Sequence, residues 1–119
     1  MLDTWRHLTA PNGVIKDPSI CLKVGASVVF DVDSANKNYP IYDRNSLLNS
    51  NDDFDYGPFL DLKNEIESGT TISQFLYTFK NPGVYVFKIN DPDGSLNERS
   101  MIIGVMSENK RCDDEDAFI

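Results

Sequence analysis

Histidine occurs once in this 119-residue chain, at position 7, and cysteine twice, at positions 21 and 112. His7 has no evident partner in sequence, so no Ser-His-Asp or Cys-His constellation emerges. The seven glycines are scattered, and none of them builds a phosphate-cradling loop. Positive charge is also short: 11 Lys and Arg stand against 19 Asp and Glu, a net charge of −8. That balance opposes binding to nucleic acid, whose phosphates call for a basic surface. It equally opposes docking on anionic membrane. No run of about 18 apolar residues exists, so no membrane-spanning helix is expected. Residues 1–5 lack the apolar centre of a signal peptide, and the segment reads as one module of a larger protein. No Asn-x-Ser/Thr sequon is present.

What the chain does have is aromatic alternation. Phe75, Tyr77 and Phe79 fall at every second position, as do Tyr85, Phe87 and Ile89. Period two with aromatic and branched residues marks half-buried strands. Lys80-Asn81-Pro82-Gly83 lies between them, with Pro82 presetting φ and Gly83 admitting positive φ. The pattern predicts an aromatic hairpin covered by a second sheet.

The rest of the chain supports a single β-domain. An N-terminal arm (residues 1–13) carries Trp5 and His7, and Val14-Ile15 is a short edge strand. Residues 20–24 and 27–32 are strands around Gly25-Ala26. They form either a hairpin or strands of two different sheets. Residues 33–61 are rich in Asn, Asp, Tyr and Pro, with little periodicity. An insertion of that length is uncommon in a compact domain and is the leading place for function. Ile41, Leu47, Leu48, Phe54 and Phe59 are expected to pin it to the core. A short helix is predicted over 58–67, with Pro58 in its first turn and Phe59, Leu62 and Ile66 on one face. Ser68-Gly69 ends it. Residues 100–106 form a last, central strand, and an acidic tail follows over 108–119. The fold class is therefore all-β: an antiparallel Greek-key β-sandwich spanning 14–107, with one short helix in a long loop.

Cys21 and Cys112 bracket the sandwich, which suggests a disulfide tying the C-terminal segment to the first strand. By chain entropy such a loop stabilises by about 4–5 kcal/mol. The alternative is two free thiols in a cytosolic protein.

Two families share these motifs. Tyr77-Thr78-Phe79, Pro82-Gly83-Val84-Tyr85-Val86-Phe87, the strand from Met101 to Val105, and Val24-Gly25 with Val28 and Phe30 resemble the cupredoxin-like fold. Blue-copper members of that family hold the metal with two His, one Cys and a weak axial ligand. Here Ile89 stands at the family's Cys position. No His follows in residues 90–94, and none lies in residues 38–42. Met101 alone is near an axial-ligand position. The resemblance thus implies the scaffold without type 1 copper and without another cofactor. Tyr77 to Tyr85, with Asp91 and Asp93-Gly94, also resemble PKD-type immunoglobulin-like modules. In that reading Asp91 and Asp93 are candidate calcium ligands, although turn formation explains the same residues. Asp52 and Asp55 are the nearest thing to a paired-carboxylate site.

The expected function is that of a non-catalytic extracellular module, structural or protein-binding. Its partners are another protein or neighbouring domains of the same chain. The candidate contact residues are Tyr39, Tyr42, Arg44 and Tyr56, types enriched where interfaces concentrate their energy. The alternative is a calcium-dependent adhesion module.

Overall fold

A computed structural model describes residues 6–51, 53–92 and 100–109. The described strands are β1 (Arg6–His7), β2 (Ser19–Lys23), β3 (Ser27–Asp31), β4 (Pro40–Tyr42), β5 (Gln74–Thr78), β6 (Gly83–Ile89) and β7 (Ser100–Met106). One helix, α1 (Gly57–Glu67), lies between β4 and β5. The strands form two sheets, a three-stranded one in the order β1-β3-β5 and a four-stranded one in the order β2-β7-β6-β4. The expected sandwich with one short helix in the long connection is what the chain forms.

The pairing departs from expectation in two respects. First, β1–β3 and β2–β7 are parallel, so neither sheet is wholly antiparallel. The N-terminal segment causes this by joining each sheet at an edge. Part of the arm belongs to the core: Leu8 and Thr9 are fully buried, and the Leu8 N–H donates to Val29 O at 2.8 Å. Second, the two aromatic runs are not a hairpin. β5 pairs with β3 in one sheet and β6 with β7 and β4 in the other. Residues 79–82 therefore carry the chain across the sandwich. Period-two patterning names the apolar face of a strand but not its neighbour. Both runs turn that face to the same interior, from opposite sides.

The change of sheet at Gly25 is similarly abrupt. The Val24 N–H still donates to Met106 O at 2.8 Å, whereas the Gly25 N–H donates to Phe79 O at 2.7 Å. Of the two readings of this region, β2 and β3 in different sheets is the one observed.

The interior is an aromatic cluster. Phe87 and Phe30 are fully buried, with ring centroids 5.8 Å apart. Phe59 of α1 reaches between the sheets, 4.8 Å from Phe87, 5.0 Å from Phe75 and 5.6 Å from Phe30. Edge and tilted contacts of this kind add to area burial. The helix shows the expected face: Phe59, Leu62 and Ile66 are buried, and Ser68 and Gly69 close its C-terminus. Leu62 and Ile66 form a second, smaller cluster with Val32 and Tyr39.

Gly83 begins β6 at φ +151°, and a Cβ there would lie 3.1 Å from Ser50 Oγ and 3.4 Å from Asn51 Cβ. Gly83→Ala thus combines backbone strain with crowding against a segment that is itself held in place. We expect it to lower unfolding free energy by about 1 kcal/mol or more in urea titration. An unchanged midpoint would show that residues 80–83 do not constrain the crossing.

Candidate functional site

The long connection is built onto β6 by its own side chains. The Asp43 N–H donates to Val86 O at 2.8 Å, continuing the line of β4. Asn49 then acts as a surrogate backbone: its Oδ1 accepts from the Val86 N–H at 2.9 Å and its Nδ2 donates to Asp43 O at 2.7 Å. The Ser50 Oγ accepts from the Val84 N–H at 2.7 Å, and the Ser50 N–H donates to Val84 O at 3.0 Å. Asn51 Nδ2 donates to the Tyr85 hydroxyl at 3.0 Å. This explains why Tyr85, Val86 and Phe87 are buried in succession: the sandwich covers one face and this segment the other. Phe54 inserts among the core rings, 4.7 Å from Tyr85 and 4.8 Å from Tyr42. Two expected anchors fail: Leu47 is 100% exposed and Leu48 is 57% exposed. With the backbone already fixed by Asn49 and Ser50, neither leucine is needed as an anchor.

The four candidate contact residues separate into two groups. Tyr39 is buried, so it is no surface contact. Its hydroxyl donates to Glu67 Oε2 at 2.7 Å, and Lys37 Nζ lies 3.3 Å from Glu67 Oε1. Burial, then the Glu67 hydrogen bond and charge, push the Tyr39 phenol well above its ordinary range. The Tyr39 hydrogen bond holds the Glu67 carboxyl below its ordinary range; Lys37 helps, and partial desolvation opposes. Tyr42 is also buried, its ring 5.1 Å from Tyr56 in a tilted contact and 5.4 Å from Phe87 edge-on. Arg44 is exposed and Tyr56 half-buried. Arg44 and Tyr56, with Lys63 and Lys88, line a groove of about 290 Å³ floored by Tyr42 and Phe59. The outward surface of this end is thus Arg44, Tyr56 and the two exposed leucines.

The positions at which the sequence resemblance would place copper ligands lie together at the ends of β4 and β6, but they carry other side chains. Pro40 pairs with Ile89, and the Asn90 N–H donates to Tyr39 O at 2.9 Å. Asn90 Nδ2 donates to Lys37 O at 2.8 Å. Met101 is fully buried opposite Phe87. Ile89 has no donor atom, the Asn90 amide is engaged with backbone, and a lone thioether is a weak ligand. These residues do not fit type 1 copper. For calcium, Asp91 is half-buried at the end of β6, whereas Asp93 lies outside the described residues. Among the described residues no three His, Cys, Asp or Glu side chains converge as a metal-binding group. Asp52 is likewise outside the described residues, and Asp55 Oδ1 accepts the Gly57 N–H at 2.9 Å beside the helix start.

Sequence reasoning missed the partner of His7. Its Nδ1 lies 2.6 Å from Asp31 Oδ2, whose other oxygen accepts from Gln74 Nε2 at 3.3 Å. The parallel pairing of β1 with β3 brings these residues together across 24 positions, and no local pattern signals it. Cys21 sits half-buried in β2 opposite Gly104 and is not a free thiol. Cys112 lies outside the described residues.

No protein-family model matches the chain, and no curated protein does. Among solved structures it is similar to the oxidised form of plastocyanin from Dryopteris crassirhizoma, at 15% identity over 83% of this chain and 96% of that one, with a TM-score of 0.46. It is similar to auracyanin B at 14% identity over 85% and 88% of the two chains, TM-score 0.42. It is also similar to auracyanin A, a "blue" copper protein from the green thermophilic photosynthetic bacterium Chloroflexus aurantiacus, at 10% identity over 83% and 94%, TM-score 0.40. Likenesses this distant carry nothing about function. The sandwich architecture, two sheets with one helix in the connection from β4 to β5, stands on the strand pairing itself.

Two outcomes follow from the geometry. Asn49→Ala removes two hydrogen bonds and strips the Val86 N–H of its acceptor, which we expect to cost about 1–3 kcal/mol in chemical denaturation. Tyr39→Phe removes the bond that lowers Glu67. A lowered carboxyl stabilises fully above its ordinary value of 4.5 and loses that contribution as pH falls through the folded value. The stability gap between wild type and Tyr39→Phe should therefore be widest above that value and narrow in acid. A gap that stays constant between neutral pH and pH 3 contradicts the coupling.

Proposed function

We propose that this domain is a non-catalytic, cupredoxin-like module of a larger extracellular protein, structural or protein-binding, working without type 1 copper. The observation that carries this reading is the assembled corner at Tyr39, Pro40, Ile89 and Asn90. The ends of β4 and β6 meet there, and the side chains are apolar filler and backbone-satisfying groups. The single histidine is committed to Asp31 at the other sheet. A rigid sandwich with a stapled loop instead presents Arg44, Leu47, Leu48 and Tyr56 outward, suited to contact with a partner protein or a neighbouring domain. The extracellular assignment rests on pairing Cys21 with Cys112, in line with the redox compartment where structural disulfides persist.

The test combines three measurements on the purified chain. Mass after alkylation under native conditions should show no modified thiol, and reduction should expose two. Adding copper(II), calcium or a chelator should leave the melting temperature and the colourless spectrum unchanged. An intense blue absorption with copper, or two readily alkylated thiols in native protein, would overturn the reading. A rise in melting temperature with calcium would replace it with the calcium-dependent adhesion module that Asp91 and Asp93 suggest.

A further inference from the structure

Each sheet edge exposes backbone donors and acceptors, and natural sheets protect such edges. Among the described residues, three of the four edges are protected. β1 has two residues, and β4 has three and opens with Pro40. On β2 the Arg6 guanidinium lies over the Cys21 carbonyl at 3.5 Å, and the strand ends in Lys23. β5 differs. It runs five residues, Gln-Phe-Leu-Tyr-Thr, with no charge, no proline and no described strand on its outer side.

The hydrogen-bond register fixes what this edge offers. The Val32 N–H donates to Ser73 O at 2.9 Å, and the Phe79 N–H donates to Ala26 O at 3.2 Å. With Phe30 opposite Phe75 and Val28 opposite Tyr77, antiparallel alternation directs the N–H and C=O groups of Phe75 and Tyr77 to β3. Those of Gln74, Leu76 and Thr78 then face outward. Leu76 is 45% exposed.

A groove of about 580 Å³ follows this edge. Its near wall is continuous from Phe75 through Asn81, and its far wall is Asp53, Phe54, Asp55 and Pro58. A pocket lined by seven consecutive residues of a strand and its exit is a slot parallel to that strand. Adding one more strand there satisfies the outward groups at ordinary strand spacing, about 4.8 Å. Exposed Asp53 and Asp55 on the far wall outnumber the one exposed cation of the lining, Lys80, and with the net charge of −8 they favour a cationic occupant. The same charge opposes a second copy of the chain in this position.

We propose that the free edge of β5 is a docking site for an extended, cationic segment of a partner protein, which adds as a fourth strand to the β1-β3-β5 sheet. Main-chain hydrogen bonds to Gln74, Leu76 and Thr78 supply affinity, and Asp53 and Asp55 select basic side chains. This rests on the protein-binding reading above and locates the contact away from Arg44.

The probe is a peptide of roughly ten residues alternating lysine with valine, a length sufficient to pair along the whole edge, titrated into the full chain by calorimetry. Saturable binding is expected. N-methylating the amides on one edge of the peptide should weaken it about tenfold or more, because backbone pairing is lost while charge is kept. Leu76→Pro, which removes an outward N–H, should do the same. Asp53→Lys should weaken binding several-fold and reduce its salt dependence; it guards against misfolding in the proline variant. Absence of binding, or equal binding of the N-methylated peptide, overturns the proposal. So does loss of binding in Arg44→Glu alone, which would move the contact to the loop and leave the protein-binding reading intact. A copper or free-thiol result in the preceding test would overturn the metal-free or extracellular part of that reading and leave its protein-binding part, on which the β5 edge depends, to this titration.

Discussion

Everything in this domain depends on aromatic packing across the gap between two sheets. β5 and β6 are joined by only residues 79–82, yet they belong to opposite sheets, and their ring-bearing faces meet in the interior. Phe79 lies 5.1 Å from Tyr85, and Phe54 lies 4.7 Å from Tyr85 and 6.0 Å from Tyr77. Phe59 enters from the helix and touches rings of both sheets. Because the rings come from strands, helix and loop alike, the core ties together elements that local hydrogen bonding does not connect. Truncating such a ring, as in Phe59→Ala, removes partners from several elements at once, and losses of about 3–5 kcal/mol are usual for buried phenylalanines.

This core also shapes the surface. Drawing Phe54 inward pulls residues 53–58 alongside β5, which creates the slot at that edge. The stapling of residues 43–51 to β6 by Asn49, Ser50 and Asn51 extends the protection begun by the short β4. One sheet is thus closed along the side of its long connection, and the other is left open along β5. The same connection therefore protects one edge and walls a groove at the other. The proposed contact with another chain rests on that asymmetry and not on any cluster of ionisable groups among the described residues.

Much of the fold was legible in the sequence. Alternation marked the strands at 74–89, and the spacing of Phe59, Leu62 and Ile66 marked the helix and its buried face. The pairing was not legible, because Pro82-Gly83 serves a crossing between sheets as well as it serves a hairpin, and only tertiary packing decides between them. The asparagines of the long connection stood out only as composition, with no individual role. Asn49 instead spends both ends of its amide on backbone partners, a role that depends on β6 lying 37 residues away. Tyr39 and Tyr42 resembled interface residues by type, yet the core claims both, whereas the exposed Leu47 and Leu48 were expected inside. The His7–Asp31 pair exists because β1 joins β3 in parallel, a connection with no local signature.

The central claim is that the two aromatic runs face each other from opposite sheets and that β5 has no described strand on its outer side. Residue-resolved amide hydrogen exchange on the isolated chain tests it most directly. Protection should alternate along β5, with the amides of Phe75 and Tyr77 slow and those of Gln74, Leu76 and Thr78 fast. β6 should be protected on both sides through Val84 and Val86. Uniform protection along β5 would contradict the account, because it would mean that a strand already occupies the edge.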